Sequence, residues 1–199
     1  MVKADCGGCN GCSRCCHGMG NSIILDPYDV YRMTTGMGKS MQELLAASVE
    51  LNVVDGVILP NLKMQGTKEA CAYLDEEGRC SIHPYRPGIC RLFPLGRYYE
   101  NGGFSYFLQT GECAKENRSK IKVSKWIDTP DLTRNQQFTL QWHDLLHAME
   151  ERLTGEDEGK QREENLLLLR LFYLLPYKGT KDFYSQFTER MEYWNEQIR

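Results

Sequence analysis

Nine cysteines pose the chemical question in this chain. Cys6, Cys9, Cys12, Cys15 and Cys16 crowd its opening, and Cys71, Cys80, Cys90 and Cys113 follow at wide intervals. An odd number would leave a closed disulfide framework with one thiol over. Two sets of four plus one suits metal better, because tetrahedral zinc and cubane iron-sulfur clusters are each completed by four soft donors. Cys9-x-x-Cys12-x-x-Cys15 is the spacing with which a short loop wraps three irons of a cubane, a distant cysteine holding the fourth. Zinc sites are more often built from two separate C-x-x-C knuckles, and no second knuckle follows. Cys6 extends the same spacing, so any three consecutive members of Cys6, Cys9, Cys12 and Cys15 satisfy it. Cys15 and Cys16 are adjacent, and adjacent side chains tend to diverge. Cys16 is therefore expected to serve a different metal from Cys15.

Candidate helpers lie near the later cysteines. Arg86 and Arg91 bracket Cys90. A guanidinium there would offset the negative charge of four thiolates and donate hydrogen bonds to sulfur, although a surface ion pair explains the same residues. His83 is a further candidate donor and would give a zinc site of three cysteines and one histidine, or a histidine-ligated cluster. His143-Asp144-Leu145-Leu146-His147 is similar in pattern to the H-E-x-x-H helix of zinc peptidases. Asp is a shorter base than Glu and no third ligand is evident, so an amphipathic helix with polar histidines is the better reading. Residues 86 to 125 hold eight Lys or Arg against three Glu, within a chain of net charge -3. The overall balance argues against a nucleic-acid protein. The basic stretch, interleaved with Tyr98, Tyr99, Phe104, Tyr106 and Phe107, suits electrostatic docking of an acidic protein redox partner.

Cysteines this far apart must be gathered by the fold. The opening is rich in Gly and Asn (Gly7, Gly8, Asn10, Gly11, Gly18, Gly20 and Asn21), which cannot pack a core but can bend around an inorganic centre. Ile23-Ile24-Leu25 predicts a short strand, with Asp26 as N-cap and Pro27 opening a helix to Met33. Ser40 and Glu43 form a capping-box pattern for the next helix. Val53-Val54 and Val57-Ile58-Leu59 around Asp55-Gly56 predict a hairpin. Residues 71–74 and 79–82 predict a second, with a cysteine on each strand, and the aromatic pairs around Asn101-Gly102-Gly103 a third. Pro84 and Pro87 impose an irregular loop before Cys90. After Cys113 the apolar spacing turns helical over 130–153, 162–175 and 181–198, with Gly155 to Gly159 as a polar linker.

Cys9-Asn-Gly-Cys12-Ser-Arg-Cys15-Cys16, then Ile23-Ile24-Leu25 with Asp29, Cys71-Ala-Tyr-Leu, Gly78-Arg-Cys80-Ser-Ile and Arg86-Pro87-Gly-Ile-Cys90-Arg91-Leu-Phe93-Pro94 resemble the YkgJ-type cysteine-cluster family. That resemblance covers about residues 6 to 113. It implies a zinc- or iron-chelating domain often labelled an iron-sulfur oxidoreductase, with Cys9, Cys12, Cys15, Cys16, Cys71, Cys80, Cys90 and Cys113 as metal ligands and Cys6 as the extra thiol. The expected fold is α+β: a small cysteine-rich core with short hairpins over 1–125, covered by a helical extension over 126–199. The expected cofactor is one or two [4Fe-4S] clusters used in electron transfer to a protein partner, with Arg86 and Arg91 tuning them. Zinc in four-cysteine sites of an interaction module is the alternative. No catalytic nucleophile or base stands out. The opening Met1 to Cys6 has no apolar signal region, which predicts a cytoplasmic protein with reduced thiols. The longest apolar run, Leu166 to Leu175, is half of the roughly 20 residues a membrane span needs.

Overall fold

The computed structural model describes residues 1–5, 7, 12–113 and 117–198. Helix α1 (Pro27–Met37) begins where the local chemistry places it. Asp26 Oδ1 accepts from the Asp29 N–H at 2.8 Å and Asp29 Oδ2 from the Asp26 N–H at 3.3 Å, a reciprocal cap with Pro27 in the first turn. Gly38, in the left-handed region, ends it. Helix α2 (Met41–Ala47) repeats the device with Ser40 and Glu43.

Strands β2 (Val49–Val54) and β3 (Val57–Leu62) form the first hairpin across Asp55 and Gly56, both at positive φ. Ile23 to Leu25 lies along β3: the Leu25 N–H donates to the Pro60 carbonyl at 2.8 Å and the Leu62 N–H to that of Ile23 at 3.0 Å. It is a single bridge, Ile24 to Asn61, rather than the expected strand, because the cap at Asp26 turns the chain into α1 at once.

The second expected hairpin is likewise reduced to one bridge, Leu74 to Cys80. Asp75 accepts the Arg79 N–H at 2.7 Å and closes a tight turn, after which residues 83–85 enter a 3-10 turn. Cys71 pairs instead with Met64, in the two-residue strands β4 (Met64–Gln65) and β5 (Ala70–Cys71). A short helix α3 (Gly88–Leu92) carries Cys90. The third hairpin is β6 (Leu95–Glu100) with β7 (Gly103–Leu108), turned by Asn101 and Gly102 at positive φ. Strand β1 (Val2–Asp5) pairs with β8 (Ser119–Ile121) across most of the cysteine-bearing chain. Helix α4 (Val123–Ile127) joins Leu92 and Leu95 in a small second core.

Helices α5 (Leu132–Leu153), α6 (Glu158–Leu169) and α7 (Phe183–Gln197) follow, each capped by an aspartate, Asp131, Asp157 and Asp182. α6 runs into a π turn over Arg170–Leu174. The main core mixes Leu25, Met33, Leu44, Val57 and Leu62 with Phe138, Met149, Leu168, Phe172, Phe187 and Trp194. The architecture is α+β, with small antiparallel hairpins followed by C-terminal helices. Among the described residues no helix is long and apolar enough to cross a membrane.

Candidate metal centre

Cys15 and Cys16 occupy one 3-10 turn, Arg14–Cys16. The Cys16 N–H donates to the Ser13 carbonyl at 2.8 Å, and the His17 ring nitrogen Nδ1 lies 2.9 Å from the same oxygen. The turn is stitched to β5: His17 bridges Ala70, and the Gly18 N–H donates to the Glu69 carbonyl at 2.9 Å. Ala70 precedes Cys71, so this pairing sets the vicinal thiols beside a third. Cys80 arrives through its bridge to Leu74, and Cys90 through α3. Cys71, Cys80 and Cys90 pack against the main core.

The five thiols act on one another electrostatically. Cys90 is raised above the usual thiol range, by burial first and then by Asp29, Cys71, Cys15 and Cys80. Burial also leads in raising Cys71 and Cys80, with the Cys15 thiol adding to both. Cys15 and Cys16 shift in opposite directions. The Cys16 thiol is the main cause that brings Cys15 down to about 6, helped by Arg86 and His17, while Cys16 is raised.

Arg86 lowers both Cys15 and Cys80, so its charge faces the thiols. Arg91 is 4% exposed, lies 3.9 Å from Asp29 Oδ1, and donates to the Arg86 carbonyl at 2.7 Å. Asp29, 2% exposed, also accepts the Gly88 N–H at 2.6 Å. The start of α1 thereby grips the loop that carries Arg86 and Cys90. The sequence carries a signal for Asp29, a second acid three positions after an N-cap aspartate, where a capping box puts one.

Cys12, just before the vicinal turn, and Cys113, in the bend after β7, are half-buried. Cys6 and Cys9 lie outside the described residues. His83 is exposed. His143 stacks on Tyr99 with ring centres 3.8 Å apart, and His147 Nδ1 sits 3.5 Å from Glu151, so both belong to the surface of α5. Among the described residues the cysteines form no disulfide, and no three His, Cys, Asp or Glu side chains are drawn onto one centre. The thiols are neighbours within range of one another's charge. As a donor set they are soft sulfur, which fits zinc, iron and iron-sulfur centres and excludes calcium or magnesium, which take oxygen.

An α+β domain that gathers free thiols from several elements is of the metal-chelating class. The chain belongs to the CxxCxxCC family, described as a "putative zinc- or iron-chelating domain", which matches residues 8–139. The match runs past Cys113, through α4 and into α5. No curated protein and no solved structure matches the chain.

Proposed function

We propose that the chain binds iron as one or two [4Fe-4S] clusters and uses them as a redox accessory to a protein partner. The observation that supports this reading is that Cys15, Cys16, Cys71, Cys80 and Cys90 are half-buried, free of disulfides and within range of one another's charge. Cys9, Cys12 and Cys113 complete the ligand set in this reading. A bound cluster would supply one-electron chemistry at a potential set by its ligands, burial and surrounding hydrogen bonds. The chain's own residues do the rest. Arg86 offsets thiolate charge, the main core shields Cys71, Cys80 and Cys90 from water, and Asp29 with Arg91 fixes the loop before Cys90. Among the exposed side chains around this loop are Tyr85 and Ile89, apolar contacts for a partner that must approach closely.

Metal analysis tests the proposal. Protein purified without oxygen should be brown, hold iron and acid-labile sulfide in equal amounts, and bleach with dithionite. Cys80→Ser should lower the iron content, whereas Cys6→Ser should leave it unchanged. A colourless protein with stoichiometric zinc would overturn the redox reading in favour of zinc held by sites of four cysteines. Equal iron loss in the Cys6 variant would refute the ligand register.

A further inference from the structure

The side of the molecule formed by the π turn and α7 carries a cavity that the cysteine chemistry does not use. At Arg170 the helical ladder widens by one residue, closed by the Leu175 N–H donating to the Arg170 carbonyl at 2.9 Å. Such widened turns are frequent at functional sites. Arg190 of α7 takes up carbonyls that the turn frees: Nη1 donates to Leu171 O at 2.8 Å and Nη2 to Pro176 O at 3.1 Å, with its guanidinium 3.5 Å from the centre of the Tyr177 ring. Gln186 ties down the following loop, accepting the Lys178 N–H at 2.8 Å and donating to the Lys178 carbonyl at 3.1 Å. Both anchors are buried, so the cavity is pre-formed, as small-molecule sites usually are.

The cavity measures about 450 Å³, within the range of about 300–1,000 Å³ common for ligand pockets. Its walls are Leu167, Leu171, Leu175, Pro176 and the ring of Tyr193. Leu175 and Tyr193 are 50% and 48% exposed, leaving apolar surface without a partner in the fold. The charged lining adds Arg170, Lys178 and Lys181 to Arg190, against the acid Glu189. Among the described residues, Arg170, Lys178 and Lys181 make no ion pair. Free cations around an aliphatic pocket complement a molecule with a negative head and an apolar body.

We propose that this pocket binds a small amphipathic carboxylate of the medium-chain fatty-acid type. The carboxylate meets Arg170 and the two lysines, where guanidinium geometry favours two parallel hydrogen bonds, and the chain lies on Leu167, Leu171 and Leu175. A half-open cavity of this volume suits one small molecule rather than an extended acidic peptide. No cysteine lines the cavity, so metal content is a separate readout.

The test is calorimetric titration of the full, metal-loaded chain with decanoate below its micelle concentration, beside decanol and acetate. Decanoate should saturate at one per chain, with acetate and decanol much weaker. Lys178→Glu with Lys181→Glu should weaken decanoate at least about tenfold, the equivalent of about 1.4 kcal/mol, without changing metal content or melting temperature. Leu175→Asp, at a half-exposed position, should do the same from the apolar side. Equal binding of decanol and decanoate, unchanged affinity after charge reversal, absence of saturation, or binding of an acidic peptide in place of decanoate would each overturn the proposal.

Discussion

Asp26 and Asp29, one helical turn apart, have the same side chain and are both raised by burial, with unequal help against it. Asp29 has Arg91 and the Gly88 N–H to hold its charge against the burial that raises it. Asp26 has less help. Burial first, and then the charge of Asp29, push it up to about 7 from an ordinary 3.8. The native state therefore keeps a proton that the unfolded chain releases near 4, and binds more protons than the unfolded state between about 4 and 7. This group makes stability fall as pH rises through that window. Asp26→Asn retains an oxygen to accept the Asp29 N–H and removes the titration. Its denaturant midpoint should depend less on pH than that of the parent between pH 4 and 7, as measured by urea unfolding in a series of buffers. Parallel pH profiles for the two proteins would assign the retained proton to another group.

At the scale of elements, α1 is packed against the turn that leads to Cys90. Gly36 sits in the last turns of that helix, and a methyl there would overlap the Tyr85 ring. Gly to Ala inside a helix ordinarily stabilises by about 1 kcal/mol. Here contact should reverse the sign: Gly36→Ala alone should lower the melting temperature, whereas in a Tyr85→Ala background the same change should raise it. A double-mutant cycle of thermal melts measures the coupling, and additive effects would show that the ring moves aside freely. The contact also illustrates what the sequence could tell. The caps at Asp26 and Ser40 and the Asn101-Gly102 turn were legible because each is settled between residues a few positions apart. The long C-terminal helices were legible from their apolar period, though the π turn that ends α6 was not. Nothing local announced that Gly18 would bond to Glu69, that β1 would pair with β8, or that Tyr85 would cover Gly36. These are contacts between distant segments, decided by packing. The cysteine positions suggested metal at once, but that Cys15 and Cys16 would sit in a 3-10 turn stitched to a strand over fifty residues away was not legible there.

The whole molecule shares one main core between its cysteine-bearing segment and its C-terminal helices. Leu25, Val57, Leu59 and Leu62 meet Phe138, Trp142, Leu168, Phe172 and Phe187 in it. Polar contacts cross the same boundary. The Tyr173 hydroxyl donates to the Leu25 carbonyl at 3.0 Å, and Asn165 accepts the Ile58 N–H at 2.6 Å while donating to the Gly56 carbonyl at 3.2 Å. Cutting the chain after residue 125 would expose those four aliphatic side chains. At about 1.5–3 kcal/mol each, the loss is about 6–12 kcal/mol, as large as the whole stability of a typical domain, about 5–15 kcal/mol. Residues 1–125 alone should therefore show no cooperative thermal transition and should bind a hydrophobic dye, while the full chain melts in one step. The cut also removes Ile127, which is buried in the small core beside Leu92, two positions from Cys90. The fragment's metal content should fall along with its cooperativity. A fragment that melted sharply and kept its metal would show instead that ligation alone organises the first segment, with the helices as a dispensable cover.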